Sequence, residues 1–156
     1  MEIPANGIKL VKKWEGLHKK GLDGLVYPYL CPAGVWTIGY GSTRELDGTP
    51  ITKSTPPKTP EECEELMLYE LERCVLRALQ YSPRLADHPE ALGAVASFVF
   101  NLGAGAYYRS TLRRKINEGL WEDARKEMKK WVWAGGRRLP GLIARRSEEA
   151  EYLDVA

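Results

Sequence analysis

The chain has 156 residues, 44% hydrophobic and 28% charged, an ordinary globular balance with enough length for one domain with a real core. Its net charge of +2 and pI near 8.4 weakly favour an anionic partner and are far too small to argue for nucleic acid. Three cysteines, an odd count without regular spacing, exclude a regular disulfide scaffold and fit a reducing compartment, and no apolar run reaches the length of a membrane span.

The first residues, Met1 to Gly7, carry no apolar signal-peptide core, so synthesis in a reducing cytosol without a signal peptide is expected. Asn6 predicts an N-cap for a first helix over about residues 7–15. On a helical wheel Ile8, Leu10, Val11 and Trp14 share one side and Lys9, Lys12 and Lys13 the other. Glu15 falls at the edge of the apolar stripe, just before Gly16, where a carboxylate is partly desolvated. Residues 17–30 carry Gly21, Gly24 and Pro28 with little period and read as a loop entering a hairpin.

Val35 to Tyr40 is β-rich and bounded by Gly34, Gly39 and Gly41. Residues 43–58 form a long Thr- and Pro-rich connection with room for one short strand near Ile51. Thr59-Pro60-Glu61-Glu62 is a capping-box helix start, and that helix should run to about Tyr81, before Ser82-Pro83. Cys63 and Cys74 share one of its faces and read as inert core thiols. From His88-Pro89 a second long helix begins, nearly all apolar from Ala91 to Leu102, and Gly103-Ala104-Gly105 ends it. Shorter helices are predicted over about residues 110–118, 120–131 and 140–153. The five Trp and eight Tyr suit a sugar-binding surface, although most should simply fill the core. His18 and His88 lack metal-ligand spacing, so no metal or cofactor is implied.

The string Tyr29-Leu30-Cys31-Pro32-Ala33-Gly34-Val35-Trp36-Thr37-Ile38-Gly39-Tyr40-Gly41, with Glu15 upstream, resembles the phage-type lysozymes, the endolysins of glycoside hydrolase family 24. That family places a glutamate, then an aspartate or cysteine, then a threonine with five residues between the last two. Pro32 to Trp36 supplies that spacing. The resemblance implies Glu15 as the acid, Cys31 as the second group and Thr37 as the hydroxyl that positions water. It also implies Tyr40 and Gly41 as substrate contacts. Cys31 as thiolate would either deprotonate water or attack the sugar; as a bare residue it also reads as a buried hairpin cysteine. The departure lies upstream. Fifteen residues separate Glu15 from Cys31 where the family has about eight, so His18 to Gly24 reads as an insertion lengthening a loop at one edge of the site.

The second half is similar to the same family. Ser97-Phe98-Val99-Phe100-Asn101-Leu102-Gly103 followed by Ser110-Thr111-Leu112 implies a glycan-facing helix, with Phe100, Asn101 and Thr111 as contacts. Gly141 to Glu151 implies a closing helix. On its wheel Arg146 lies in the apolar stripe and Arg145 points off it. A buried arginine needs a partner; Glu15 is one candidate and backbone carbonyls the other.

The expected architecture is α+β and mainly helical: a lysozyme-like single catalytic domain over 1–156. It would have a small N-terminal β-hairpin lobe (about 16–58), a larger helical lobe (about 1–15 and 59–156) and the active-site cleft between them. The expected activity is hydrolysis of the β-1,4 bond between N-acetylmuramic acid and N-acetylglucosamine in bacterial peptidoglycan. It would act as a monomer in host lysis, reaching the wall through a separate membrane pore. A peptidoglycan-binding tail or structural domain without catalysis, and a lytic transglycosylase, are the alternatives.

Overall fold

The computed structural model describes residues 2–155. Seven helices carry most of the ordered chain: α1 (Ala5–Glu15), α2 (Pro60–Tyr81), α3 (Pro89–Leu102), α4 (Ala104–Tyr108), α5 (Thr111–Asn117), α6 (Trp121–Met128) and α7 (Pro140–Glu151). Two antiparallel hairpins add β1 (Tyr29–Leu30) with β2 (Trp36–Thr37), and β3 (Trp133–Ala134) with β4 (Arg137–Arg138). The chain divides into two compact units, one of Val11–Glu70 and one of Met1–Leu10 with Leu71–Ala156.

In the Val11–Glu70 unit short local signals do most of the work. Cys31 N donates to Val35 O at 3.0 Å and Gly34 N to Cys31 O at 2.8 Å, closing the turn between β1 and β2. Gly34 takes φ +79° there, a conformation glycine adopts without steric cost. The register sets Tyr29 opposite Thr37 and Leu30 opposite Trp36. Val26, Ile38, Ile51, Cys63 and Leu66 make a small buried cluster, with Leu17, Trp36 and Tyr40 packed against it. Gly39, at φ +66°, lies so close to Cys63 that a Cβ would sit 2.8 Å from the Cys63 Cβ.

The capping box at the start of α2 forms as the sequence predicts. Thr59 N donates to Glu62 Oε1 at 2.9 Å, and Glu62 N to Thr59 Oγ1 at 3.1 Å.

In the other unit α3 is buried along Ala91–Val99, as its apolar run demands. Gly93 is required on it: a Cβ there would collide with the Asn6 side chain. Asn6 lies inside α1 and is not its cap. The helix starts at Ala5, and Asn6 Nδ2 donates to Glu90 O at 2.7 Å. Tyr107, Leu112, Ile116, Ala124, Met128 and Leu153 complete the core. Ser110 caps α5, accepting from Arg113 N at 3.0 Å.

Four further features differ from the expectation. Gly103 ends α3 at φ +93°, yet α4 begins at once, so the glycine bends the chain instead of opening a loop. The β3–β4 hairpin turns at Gly135-Gly136, both at positive φ. Cys74 is only half-buried, whereas Cys63 is fully buried. Arg145, expected to point off the apolar stripe, is buried on α7 with Arg146. α7 contacts both α3 and α6, so its buried arc is wider than its apolar stripe.

Candidate active site

Glu15, Cys31 and Thr37 all belong to the Val11–Glu70 unit. Glu15 is the last residue of α1 and is half-buried. Gly16 follows at φ +71°, turning the chain out of the helix. The backbone of Gly41, at φ +99°, approaches the acid: a Cβ there would lie 3.6 Å from Glu15 Oε1. Glu70 on α2 is a second carboxyl in the electrostatic reach of Glu15. Burial pushes its pKa up, the Ser42 side chain lowers it and Glu15 raises it.

Cys31 opens the hairpin turn and is half-buried. The Val35 amide, and with it the Ala33 amide and the Thr37 hydroxyl, favours the ionised sulfur. Partial burial opposes them, and the thiol sits below its ordinary value. Thr37 is buried and donates its hydroxyl to Val35 O at 2.9 Å. A hydroxyl has one hydrogen, so Thr37 serves either the Val35 carbonyl or the Cys31 sulfur at a given moment. Side chains alternate along a strand, and Tyr29 pairs with Thr37, so Tyr29, Cys31 and Thr37 share one hairpin face.

Tyr29 is the residue sequence reading missed. Its pKa is raised by burial first, then by Cys31 and Glu15, so its phenol stands in the field of both groups. His18, which the sequence marks only as the start of a loop insertion, packs beside it. Its ring packs on Tyr29 with centroids 5.6 Å apart, and Nε2 lies 2.7 Å from Glu15 O. Tyr40 is half-buried and packs on the apolar cluster.

The segment read as an insertion is internally tied. Lys20 pairs with Val26, and Val26 with Lys58. Gly21 N donates to Leu25 O at 2.7 Å, and the Asp23 carboxylate accepts from Leu25 N and from Tyr27 Oη. Those bonds, Tyr27 foremost, hold the Asp23 carboxyl below its ordinary value and commit it to its own turn.

The remaining expected site residues lie in the other unit. Phe100 and Asn101 are half-buried near the end of α3. Thr111, at the start of α5, lines a pocket of about 460 Å³ with Leu102, Trp131 and Trp133. Arg146 is fully buried; Nη2 donates to Asn101 Oδ1, and its Nε lies 3.2 Å from Glu149 Oε1. Arg145 Nε donates to Glu149 Oε2 at 3.2 Å and its Nη2 to Ser97 O at 3.2 Å. Ser97 Oγ donates to Glu149 Oε2 at 2.6 Å. Burial pushes the Glu149 carboxyl up, against the pull of Arg146, Arg145 and Ser97. Among the described residues no group of three or more His, Cys, Asp or Glu is placed to hold a metal ion, and no helix is long and apolar enough to cross a membrane.

The family model described as phage lysozyme matches residues 12–149. An endolysin of Acyrthosiphon pisum secondary endosymbiont phage 1 is 35% identical over 161 residues, covering 100% of both chains. A SAR-endolysin of Enterobacteria phage PA-2 is 38% identical over 136 residues, 84% of this chain and 76% of the relative. Among solved structures, an endolysin from Escherichia coli O157:H7 phage FAHEc1 superposes with TM-score 0.80 at 26% identity, covering 99% of this chain and 94% of that one. The muramidase domain of SpmX from Asticaccaulis excentricus superposes with TM-score 0.77 at 26% identity, covering 99% of each. With its α+β, mainly helical, lysozyme-like fold, this chain belongs to the phage lysozyme family.

Proposed function

We propose that this chain is an endolysin-type muramidase that hydrolyses the β-1,4 bond between N-acetylmuramic acid and N-acetylglucosamine in bacterial peptidoglycan. The observation that carries the reading is Cys31, a thiol held below its ordinary pKa on the hairpin face it shares with Thr37 and Tyr29. A thiol held below its ordinary value is ionised, and so able to accept a proton, from a lower pH than an ordinary thiol.

Glycoside hydrolysis needs a donor to the leaving oxygen and a second group at the anomeric carbon. Glu15, half-buried at the end of α1, donates its proton to the glycosidic oxygen as the C–O bond breaks. Thr37 orients a water, and the Cys31 thiolate takes the water's proton as its oxygen bonds to the anomeric carbon. The proton on sulfur then returns through solvent to Glu15, and one water is consumed per bond. Attack by the sulfur itself, followed by hydrolysis of the thioglycoside, breaks the same bond and consumes the same one water, but releases the anomer of retained and not inverted configuration. The same reading gives Tyr40, Gly41, Phe100, Asn101 and Thr111 to the glycan, with Arg146, set against Asn101 and Glu149, in a supporting role. It places the enzyme in host lysis, made in the cytoplasm, released through a separate pore and working as a monomer.

The test is the mass of the products from purified peptidoglycan. Hydrolysis leaves a muropeptide with a free reducing end, one water heavier than the anhydro product of a transglycosylase. Glu15→Gln should fold with an unchanged melting temperature and release almost nothing. Anhydro products, or a Glu15→Gln variant that digests at the wild-type rate, would overturn the reading. A wild-type chain that binds the wall and cuts nothing would make it a binding domain.

A further inference from the structure

We propose that His18 is a positioning residue: it clamps the end of α1, and so the backbone of Glu15, to the hairpin that carries Cys31 and Thr37. The proposal rests on the muramidase reading of that site. It goes beyond it in giving a chemical task to the segment between Glu15 and Cys31, where the chain departs from the family spacing.

One residue makes three contacts with three parts of the site. Its Nε2 lies 2.7 Å from the Glu15 carbonyl oxygen. Its ring packs against Tyr29, 5.6 Å between centroids at 57°. Its backbone N donates to Gly39 O at 3.4 Å, just past β2. Tyr29 is in turn the cross-strand partner of Thr37. The path from acid to hairpin therefore runs Glu15, His18, Tyr29, Thr37, through a hydrogen bond, a ring contact and a strand pair.

The chemistry of the bond fixes the imidazole. A carbonyl oxygen only accepts, so Nε2 carries the hydrogen. That hydrogen is what the Glu15 carbonyl accepts. The carbonyls of a helix's last turn have no partner within the helix, and His18 supplies one at the residue that matters for proton donation. The backbone is bent to allow it. Gly16 turns at φ +71°, and Lys19, immediately after the histidine, is held at φ +63° although it is not a glycine. Tyr27 N donates to Lys19 O at 3.1 Å and keeps it there. Backbone strain of this kind persists where surrounding contacts over-determine it and gathers at functional sites.

His18 is exposed, so the clamp adds little to global stability and its loss should appear in the chemical step. A misplacement of about 1 Å at a reacting group costs up to about 100-fold in rate. The experiment compares wild type with His18→Ala, His18→Phe and His18→Gln on purified peptidoglycan, with Lys20→Ala as control. His18→Ala should lower kcat by about 10- to 100-fold, with KM and melting temperature close to wild type. His18→Phe keeps a ring for Tyr29 but no donor and should be as slow. His18→Gln carries an amide N–H at the position of Nε2 and should recover most of the rate. Lys20→Ala should be unchanged. A His18→Ala variant as fast as an active wild type overturns the clamp, as does a loss confined to KM. A loss that follows a lowered melting temperature, without rescue by glutamine, also overturns it. A wild-type chain that releases no reducing ends fails the muramidase reading instead. The clamp is then read by ¹⁵N imidazole spectra, in which an Nε2–H His18 supports it and an Nδ1–H tautomer overturns it.

Discussion

The Thr37 hydroxyl donates to the carbonyl oxygen of Val35 over 2.9 Å. Cys31 N donates to the same carbonyl at 3.0 Å, so one backbone oxygen ties together the two ends of the hairpin turn. When Cys31 ionises, the Thr37 hydrogen has a better acceptor in the sulfur, and the hydroxyl can turn from carbonyl to thiolate. Thr37→Ser keeps that hydrogen and should retain most activity. Thr37→Val keeps the shape and loses the hydroxyl. A hydrogen bond to a charged group contributes about 1.5–3 kcal/mol, so Thr37→Val should slow turnover by about 10- to 150-fold. Equal rates for the two variants would remove the hydroxyl from the mechanism.

The three cysteines should separate cleanly on alkylation. Cys31 is half-buried with its thiol below the ordinary value. Burial pushes the Cys63 thiol up to about 11. The thiolate is the reactive form, so at neutral pH Cys31 should react first and Cys63 last, and activity should fall in step with Cys31 alone. The pH profile follows from the same sign. Activity should rise as Cys31 loses its proton, and Cys31→Asp should carry the acidic limb to lower pH because a carboxyl ionises earlier. For Cys63 the folded pKa is raised, so stability is intact below the unfolded value. It should fall as pH climbs from about 9 towards 11, where the unfolded chain releases the proton first. A Cys63→Ala variant should lack that alkaline loss. Full alkylation of Cys31 without loss of rate would end its catalytic assignment.

Glu149 accepts from Arg145, faces Arg146 and accepts from Ser97, all out of solvent. Removing one member of a buried pair leaves an uncompensated charge and typically costs about 3–5 kcal/mol. Arg145→Ala, Arg146→Ala and Glu149→Gln should therefore each lower stability by about that much in urea titration. A helical wheel alone would single out Arg146. A small effect for Arg145→Ala would return that side chain to the surface.

What the sequence made legible was local. The α2 start was readable because Thr59 and Glu62 bond each other three residues apart, and the hairpin because Gly34 and Gly41 mark backbone that bulkier residues adopt with strain. The burial of Arg145 was not, because a wheel shows one apolar stripe while α7 packs on two helices. Glu149 was invisible for the same reason: a carboxylate beside two arginines in sequence reads as a solvated run, and only burial makes it a counter-ion. The β3–β4 hairpin had a signal, Gly135-Gly136 between short runs, the two-residue turn with positive φ at both positions. His18 had none. Its contacts to Glu15 and Tyr29 depend on the bend at Gly16, and three residues of sequence separation do not reveal that bend.

Lys19 is the one non-glycine residue at positive φ among the described residues, at +63°. The left-handed region costs an ordinary L-residue about 1–2 kcal/mol, because Cβ crowds the following carbonyl. Glycine removes that cost and adds about 0.5–1 kcal/mol of lost chain entropy. Lys19→Gly should therefore be neutral or stabilising by up to about 1 kcal/mol, raising the melting temperature by as much as about 2–4 °C. Lys19→Asn should behave similarly, since asparagine tolerates this region. Lys19→Val should destabilise, because a β-branched residue there is a steric outlier. The side chain is exposed, so the order Gly and Asn above Lys above Val reports the backbone alone. Valine as stable as glycine would mean that the chain does not hold Lys19 in this conformation, and the bend that turns His18 towards Glu15 would lose its anchor.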